Sequence, residues 1–320
     1  MNPGITYRDA GVDLDAAQRH TANIASMVAG GTGGFAGLVE MPKMRDPLLV
    51  GATDGVGTKI ALAQKLGRLD GLGQDLVAMC VNDLACTGAK PLFFLDYMAV
   101  GRLDPEIVGQ VVASISAACA AVGCALVGGE TAEHPGVVAP DHLDLAGFAV
   151  GVVERDEVLG PHRVVDGDVI VGIPSSGLHS NGFSLVRALV DSGALAPDAD
   201  LLLEPTRLYP GDVALVRDAG IELHAAAHIT GGGFPENLPR VIPAGLRPVV
   251  DPTTWERTAA IAAVLATGNV CDEDAWSTFN MGIGMCLILP RDAAASATAG
   301  IVGARVVGHV EVGDGGLRFG

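Results

Sequence analysis

Asp54, Gly55, Gly57, Thr58 and Lys59 fall together in TDGVGTK, where the apolar run LLVGAT gives way to a second, KIALAQKL. A carboxylate, a backbone bare of side chains and a cation in that order suit a phosphate-bearing ligand with a metal ion. Helix-terminal amides favour phosphate, and Asp54 offers magnesium an oxygen. The order is not the Gly-Lys-Ser/Thr of a P-loop, and an Asp-Gly turn capped by threonine needs no ligand at all. Further glycine-rich polar turns, each joined to an apolar segment, repeat the theme: GGTGGFAG, CVNDL, GGETAE, SSGLHSNG, HITGGG and FNMGIG.

Asn82 and Asp83 interrupt the helix-like run QDLVAMCVNDLACTG. If buried, such a carboxylate needs a partner or a cation; on a solvent face it needs nothing. Glu130 and Glu133 follow the strand-like CALVGG and are expected to emerge at its C-terminal end, where α/β sheets bind ligands. Asp54, Asp83 and Glu130 would then make a magnesium site completed by phosphate oxygens and water. The stretch from Gly30 to Gly37 lacks the spacing of a dinucleotide fingerprint and reads either as a flexible linker or as a loop closing over phosphates. His179 and Asn181 sit among hydroxyls just before a helix, and His228 precedes three glycines. A Ser-His hydrolase would need a G-x-S-x-G elbow, which is absent.

The elements that must position these turns form two halves. At 320 residues the chain exceeds what one core usually supports. The turn-rich stretch ERDEVLGPHRVVDGD marks the boundary, giving domains at 1–159 and 160–320. The first half alternates strand-like runs (PLLVGATD, PLFFLDYMAVG, CALVGGE, DLAGFAVGVVE) with helix-like ones (TKIALAQKL, QDLVAMCVNDLACTG, PEIVGQVVASISAACAAV). The second restarts with DVIVGIP and ends in strand-like runs around MGIGMCLILP and ARVVGHVEV. The fold class is α/β (α+β).

A formal charge of -17 with no lysine/arginine cluster excludes a nucleic-acid partner. The six cysteines lie in apolar stretches with no CxxC spacing, and read as reduced core thiols of a cytoplasmic protein. MNPGITYRDAGVD, with an early acid and no apolar run, is not expected to be a signal peptide. Residues 107–129 are uncharged and long enough for a bilayer, but Gln110, Ser114 and Ser116 interrupt the apolar surface. Gly123 splits the run into a helix and a short buried strand, so no membrane span is expected.

In their order, these motifs resemble the phosphoribosylformylglycinamidine cyclo-ligases, the aminoimidazole ribonucleotide synthetases of purine biosynthesis. YRDAGVDLDA, TDGVGTK, DLVAMCVNDL, PLFFLDY, GGETAE, DLAGFAVGVVE, SSGLHSNGFSLVR, PTRLY, HITGGG, ENLPRV and TFNMGIGM together cover almost the whole chain. Within the superfamily, a selenophosphate synthetase would need a reactive cysteine near the N-terminus, whereas the first here is Cys80. A thiamine-monophosphate kinase would not be expected to carry SSGLHSNGFSLVR.

The resemblance implies a homodimer whose N-terminal mixed sheets pair into a central β-barrel, with C-terminal α+β domains outside. It implies ATP and Mg2+, and a reaction that phosphorylates the formamide oxygen of formylglycinamidine ribonucleotide before the amidine nitrogen closes the imidazole ring. Carried over by motif, Gly30, Gly31, Gly33 and Gly34 would be a nucleotide loop. Asp54, Gly55, Gly57, Thr58, Asn82, Thr131 and Ser176 would also face the nucleotide, as would His228 and the turn Thr230, Gly231, Gly232 and Gly233. Asp54, Asp83 and Glu130 would hold magnesium, Lys59 would neutralise phosphate, and His179 and Asn181 would polarise or protonate the formamide. A phosphotransferase with the same nucleotide site, or a nucleotide-sensing dimer, are the rival readings.

Two departures from the family pattern stand out. Where many members carry a basic cluster before the glycine-rich loop, RHTANIASMVAG offers only Arg19 and His20, leaving Lys43 or Arg45 as substitutes. The connection from SSGLHSNG to PTRLY is also short, as for a trimmed surface loop.

Overall fold

The computed structural model describes residues 13–28 and 36–320, so the expected nucleotide loop at Gly30, Gly31, Gly33 and Gly34 lies outside the described residues. The first half runs α1 (Leu14–Ile24), β1 (Pro47–Gly55), α2 (Lys59–Leu66), α3 (Leu72–Cys86), β2 (Lys90–Val100), α4 (Pro105–Ala121), β3 (Ala125–Glu133) and β4 (Leu143–Glu154). Its four strands form a mixed sheet in the order β1-β4-β2-β3, with only β2 and β3 parallel.

α3 and α4 cover one face of this sheet. Leu76, Cys80 and Leu84 on α3, spaced four apart, are wholly buried there. Asp104 caps α4 by accepting from the Glu106 and Ile107 amides, with Pro105 at the first turn. α4 ends before Gly123, which turns at φ 65°, and β3 begins at Ala125. The uncharged run thus divides as the sequence suggests, and among the described residues no helix is long and apolar enough to cross a membrane.

β3 is longer than expected. GGETAE is not a turn beyond the strand but its second half, because the parallel ladder with β2 continues to Val100 and Glu133. Strand alternation then decides which carboxylates share a face. Asp54, Gly147, Asp96 and Gly129 lie in one register row across the sheet, with Asp96 buried under the helices. Glu130 is in the next row beside Tyr97, and both are exposed on the opposite face, where Leu49 and Phe148 are exposed as well.

Burial pushes the Asp96 carboxyl up to about 7. The folded chain therefore keeps this proton to near neutrality, whereas the unfolded chain releases it near pH ~4. The stability it lends is complete below ~4 and is lost as pH rises to ~7, at up to about 1.4 kcal/mol per pH unit. Asp96→Asn is expected to be neutral at low pH and stabilising at pH 8, read by thermal melts at both. Equal melting shifts at the two pH values would contradict this.

The second half comprises β5 (Val169–Pro174), α5 (Phe183–Asp191), α6 (Ala199–Leu202), α7 (Pro210–Asp218), β6 (Ala225–His228), α8 (Gly233–Asn237), β7 (Leu246–Val250), α9 (Ala259–Gly268), α10 (Asp272–Thr278), β8 (Ile283–Leu289), α11 (Ala294–Gly300), β9 (Arg305–Val312) and β10 (Arg318–Phe319). Its six strands order as β10-β7-β9-β5-β8-β6, antiparallel except for β10 with β7. Every residue of β8 is buried, as expected of a central strand. One contiguous apolar core runs from Val56 and Leu84 of the first half to Phe279 and Val310 of the second.

The cysteines are all free, but not all belong to the core: Cys271 is exposed and Cys86 half-buried, while the other four are buried. Burial raises the Cys80 thiol to about 12, so it stays a neutral packing group.

Candidate active site

TDGVGTK closes β1 and opens α2, with Gly57 at φ 66°. Asp54 points to the helical face of the sheet and is partly buried. Its carboxyl is raised chiefly by that burial; the Gly55 amide opposes the shift, Asp83 adds to it, and His228 opposes it. Asp83 on α3 is half exposed, and its Oδ1 lies 3.0 Å from His228 Nδ1 at the end of β6. Asp54, Asp83 and His228 thus come together from two elements of the first half and one of the second.

Glu130 does not join them, since it faces the other side of the sheet. Among the described residues no three His, Cys, Asp or Glu side chains could hold a metal by themselves. What remains is a pair of carboxylates, one buried enough to want a counter-charge and one open to solvent. That half-site fits magnesium, which commonly takes one or two protein carboxylates and fills its shell with phosphate oxygens and water.

Asn82, next to Asp83, turns inward. Its Oδ1 accepts the Tyr209 amide at 2.8 Å, and its Nδ2 donates to the Arg207 carbonyl at 3.0 Å and lies 3.3 Å from His228 Nε2. It is a buried link between the halves rather than a group open to a nucleotide. Thr131 likewise has its hydroxyl on His20 Nε2 at 3.1 Å, beneath α1.

Lys59 departs furthest from expectation. Its ammonium and the Asp75 carboxylate are 1% and 0% exposed and 2.7 Å apart. Nζ also donates to Asp75 Oδ1 and to the Glu204 carbonyl. A cation this enclosed and compensated is not available to meet phosphate. Arg45 is taken up on the surface too, 3.0 Å from Asp156 and 3.8 Å from Glu154.

In SSGLHSNG, His179 adopts φ 60° and is buried, with Nε2 accepting the Ser176 amide at 3.2 Å. Burial first, then the positive field of His228, Lys59 and Arg207, holds it well below the usual histidine range, so it is neutral at pH 7. It has the place of a group that shapes the loop rather than of an acid. Asn181 is more accessible, and its Oδ1 sits 3.4 Å from where a side chain on Gly231 would begin. SSGLHSNG and HITGGG are therefore adjacent, and Ser176 is exposed at the loop's edge.

Sequence reasoning missed the residues that hold these turns. Asn237 Nδ2 donates to the carbonyls of Gly231 and Gly233 at 3.0 and 2.8 Å. Asn280 Oδ1 accepts from Ser175 Oγ and the Gly282 amide, while its Nδ2 donates to the Gly177 carbonyl. Both lie in motifs visible in the sequence, ENLPRV and TFNMGIGM, where a lone amide amid apolar residues was the available signal.

Residues 35–153 match the family model for the AIR synthase related protein N-terminal domain, and residues 165–319 that for its C-terminal domain. The chain is 50% identical over 309 residues to a phosphoribosylformylglycinamidine cyclo-ligase of Thermosynechococcus vestitus (strain NIES-2133 / IAM M-273 / BP-1), covering 91% of each. It is 48% identical over 305 residues to one of Parasynechococcus marenigrum (strain WH8102), covering 89% of each. Among solved structures, the thiamine-monophosphate kinase from Stenotrophomonas maltophilia K279a superposes with a TM-score of 0.67 at 20% identity, over 94% of both chains. The hydrogenase maturation protein HypE in complex with ATP gives 0.65 at 19%, over 97% of this chain and 88% of that one. These two likenesses concern the fold.

Proposed function

This chain belongs to the AIR synthase related family, and on that premise we propose that it is an ATP-dependent cyclo-ligase converting formylglycinamidine ribonucleotide to 5-aminoimidazole ribonucleotide, ADP and phosphate. The observation that carries the reading is the half-identity to cyclo-ligases over nine-tenths of the chain, joined to a site where two carboxylates face a glycine-rich turn across the halves.

Residues 1–159 serve as the nucleotide and dimerisation domain, and 160–320 as the substrate domain. Asp54 and Asp83 hold Mg2+, which when bound neutralises phosphate charge. His228 orients Asp83 through their 3.0 Å contact. Gly55, Gly57 and Thr58 let the ATP phosphates approach the backbone. Thr230 to Gly233 meet the substrate's phosphate. Asn181, beside Gly231, hydrogen-bonds the formamide.

The formamide oxygen attacks the γ-phosphorus and ADP leaves, turning a poor leaving group into a phosphate ester. The amidine nitrogen then attacks the formamide carbon that carries the phosphorylated oxygen, a proton is lost, and that C–O bond breaks to release phosphate as the ring closes. Holding the amidine against the activated carbon makes closure effectively unimolecular. The exposed face with Leu49, Tyr97 and Phe148 is the surface on which a second copy pairs its sheet to form the barrel.

The test is phosphate release from ATP by the purified protein, with aminoimidazole followed by its diazo-coupling colour. One-for-one formation, dependent on both formylglycinamidine ribonucleotide and magnesium, is the expected result. Phosphorylation without aminoimidazole would replace this reading with a phosphotransferase.

A further inference from the structure

We propose that the enclosed Lys59–Asp75 pair, completed by Thr206, is a positioning device that fixes the 54–59 turn of the first half against the substrate-side loop of the second. This rests on the functional reading above for what the two loops do, but not for the contacts themselves.

The observation is the segment Glu204–Tyr209. It has neither helix nor strand, so its backbone polar groups must be satisfied otherwise. The first half supplies them. Lys59 Nζ donates to the Glu204 carbonyl at 3.0 Å, and Gln74 Nε2 to the Thr206 carbonyl at 2.9 Å. Asp75 Oδ1 accepts both the Thr206 amide at 2.8 Å and its hydroxyl at 2.6 Å. Asp75 and Asn82 stand two helical turns apart on α3, and each accepts a backbone amide of this segment.

The segment's other side grips the SSGLHSNG loop. Ser176 Oγ donates to the Pro205 carbonyl at 2.6 Å, Ser180 Oγ lies 3.3 Å from Thr206 Oγ1, and the Tyr209 hydroxyl donates to the Pro174 carbonyl at 3.0 Å. Lys59 directly follows Thr58, whose hydroxyl is 3.3 Å from Ser184 Oγ on α5. Its ammonium also sits 5.5 Å over the Phe183 ring. A shift of the pair therefore moves both loops. Two desolvated charges are a costly way to fill space that apolar side chains could fill, and geometry is the property they secure here.

The experiment is a double-mutant cycle on the full chain with Lys59→Met, Asp75→Asn and the double variant, read as kcat and KM for each substrate. Each single change is expected to lower kcat roughly 10- to 100-fold, the scale of a misplaced reacting pair, with KM for ATP nearly unchanged. The double variant should be no worse than the poorer single. Multiplicative losses would overturn the device, as would a large rise in KM for ATP confined to Lys59→Met, the signature of a phosphate ligand.

Should the charge variants fail to fold, Thr206→Val removes one hydroxyl and leaves the ion pair. It should lower kcat, and Thr206→Ser should restore it; wild-type turnover in Thr206→Val would overturn the proposal. Amide exchange at residues 175–180, expected to quicken in Asp75→Asn or Thr206→Val, needs no turnover, and unchanged exchange counts against the device alone. Wild-type protein that forms no aminoimidazole defeats only the functional reading.

Discussion

Gly233→Ala is expected to lower stability by roughly 3–5 kcal/mol, with loss of soluble protein at 37 °C and a fall in Tm of about 5–10 °C where it can be purified. Gly233 opens α8 at φ 57°, a conformation L side chains rarely adopt. A Cβ there would lie 1.8 Å from the Trp276 carbonyl oxygen and 3.1 Å from that of Phe279. Both obstacles are backbone of a packed element, so neither can swing aside as a side chain would. The change also breaks the turn Asn237 holds, and activity should fall further than stability alone accounts for. Gly211→Ala is the control: it lies in α7 with open space around it, and should be neutral or slightly stabilising. Equal melting temperatures for the two variants would refute the steric argument.

Asp83→Asn carries the second large effect, an expected fall in kcat of about 100-fold or more with a rise of roughly 10- to 100-fold in the magnesium needed for half-maximal rate. The substitution isolates charge from shape. An asparagine oxygen can still accept from His228 Nδ1, now 3.0 Å from Asp83 Oδ1, so His228 and the end of β6 should keep their places. Asp83 is half exposed, and because the asparagine oxygen keeps the buried His228 partnered, the change leaves no unpaired buried group to unfold the chain. A magnesium titration superimposable on that of the parent would remove Asp83 from the metal site. A shifted titration with unchanged melting would place its contribution in binding the ion.

The sequence is most legible where local pattern and structure coincide. The helix at Leu72–Cys86, the division of residues 107–129 and the strand and helix flanking TDGVGTK all follow from apolar periodicity and turn residues. What escapes such reading depends on pairing across distance. GGETAE looks like a turn because two glycines open it, yet its neighbour β2 draws it into the ladder. Once it is a strand, alternation sends Glu130 to the face opposite Asp54. Lys59 looks like a phosphate ligand because of the five residues before it; its partner Asp75 is sixteen residues on, and Thr206 lies in the other half. No local pattern announces such a meeting. His179 was legible as a loop residue, but its burial depends on Tyr209 and Gly284 closing around it, contacts set only by the finished sheet.

The way α3 serves both halves has a consequence for ancestry. One face of this helix packs on the first sheet, while Gln74, Asp75 and Asn82 complete the backbone of a segment more than a hundred residues further along the chain. The two halves are thus not interchangeable cassettes. A recombination that joined the first half of one relative to the second half of another would succeed only where α3 and residues 204–209 descend together, and drift at either must be answered at the other.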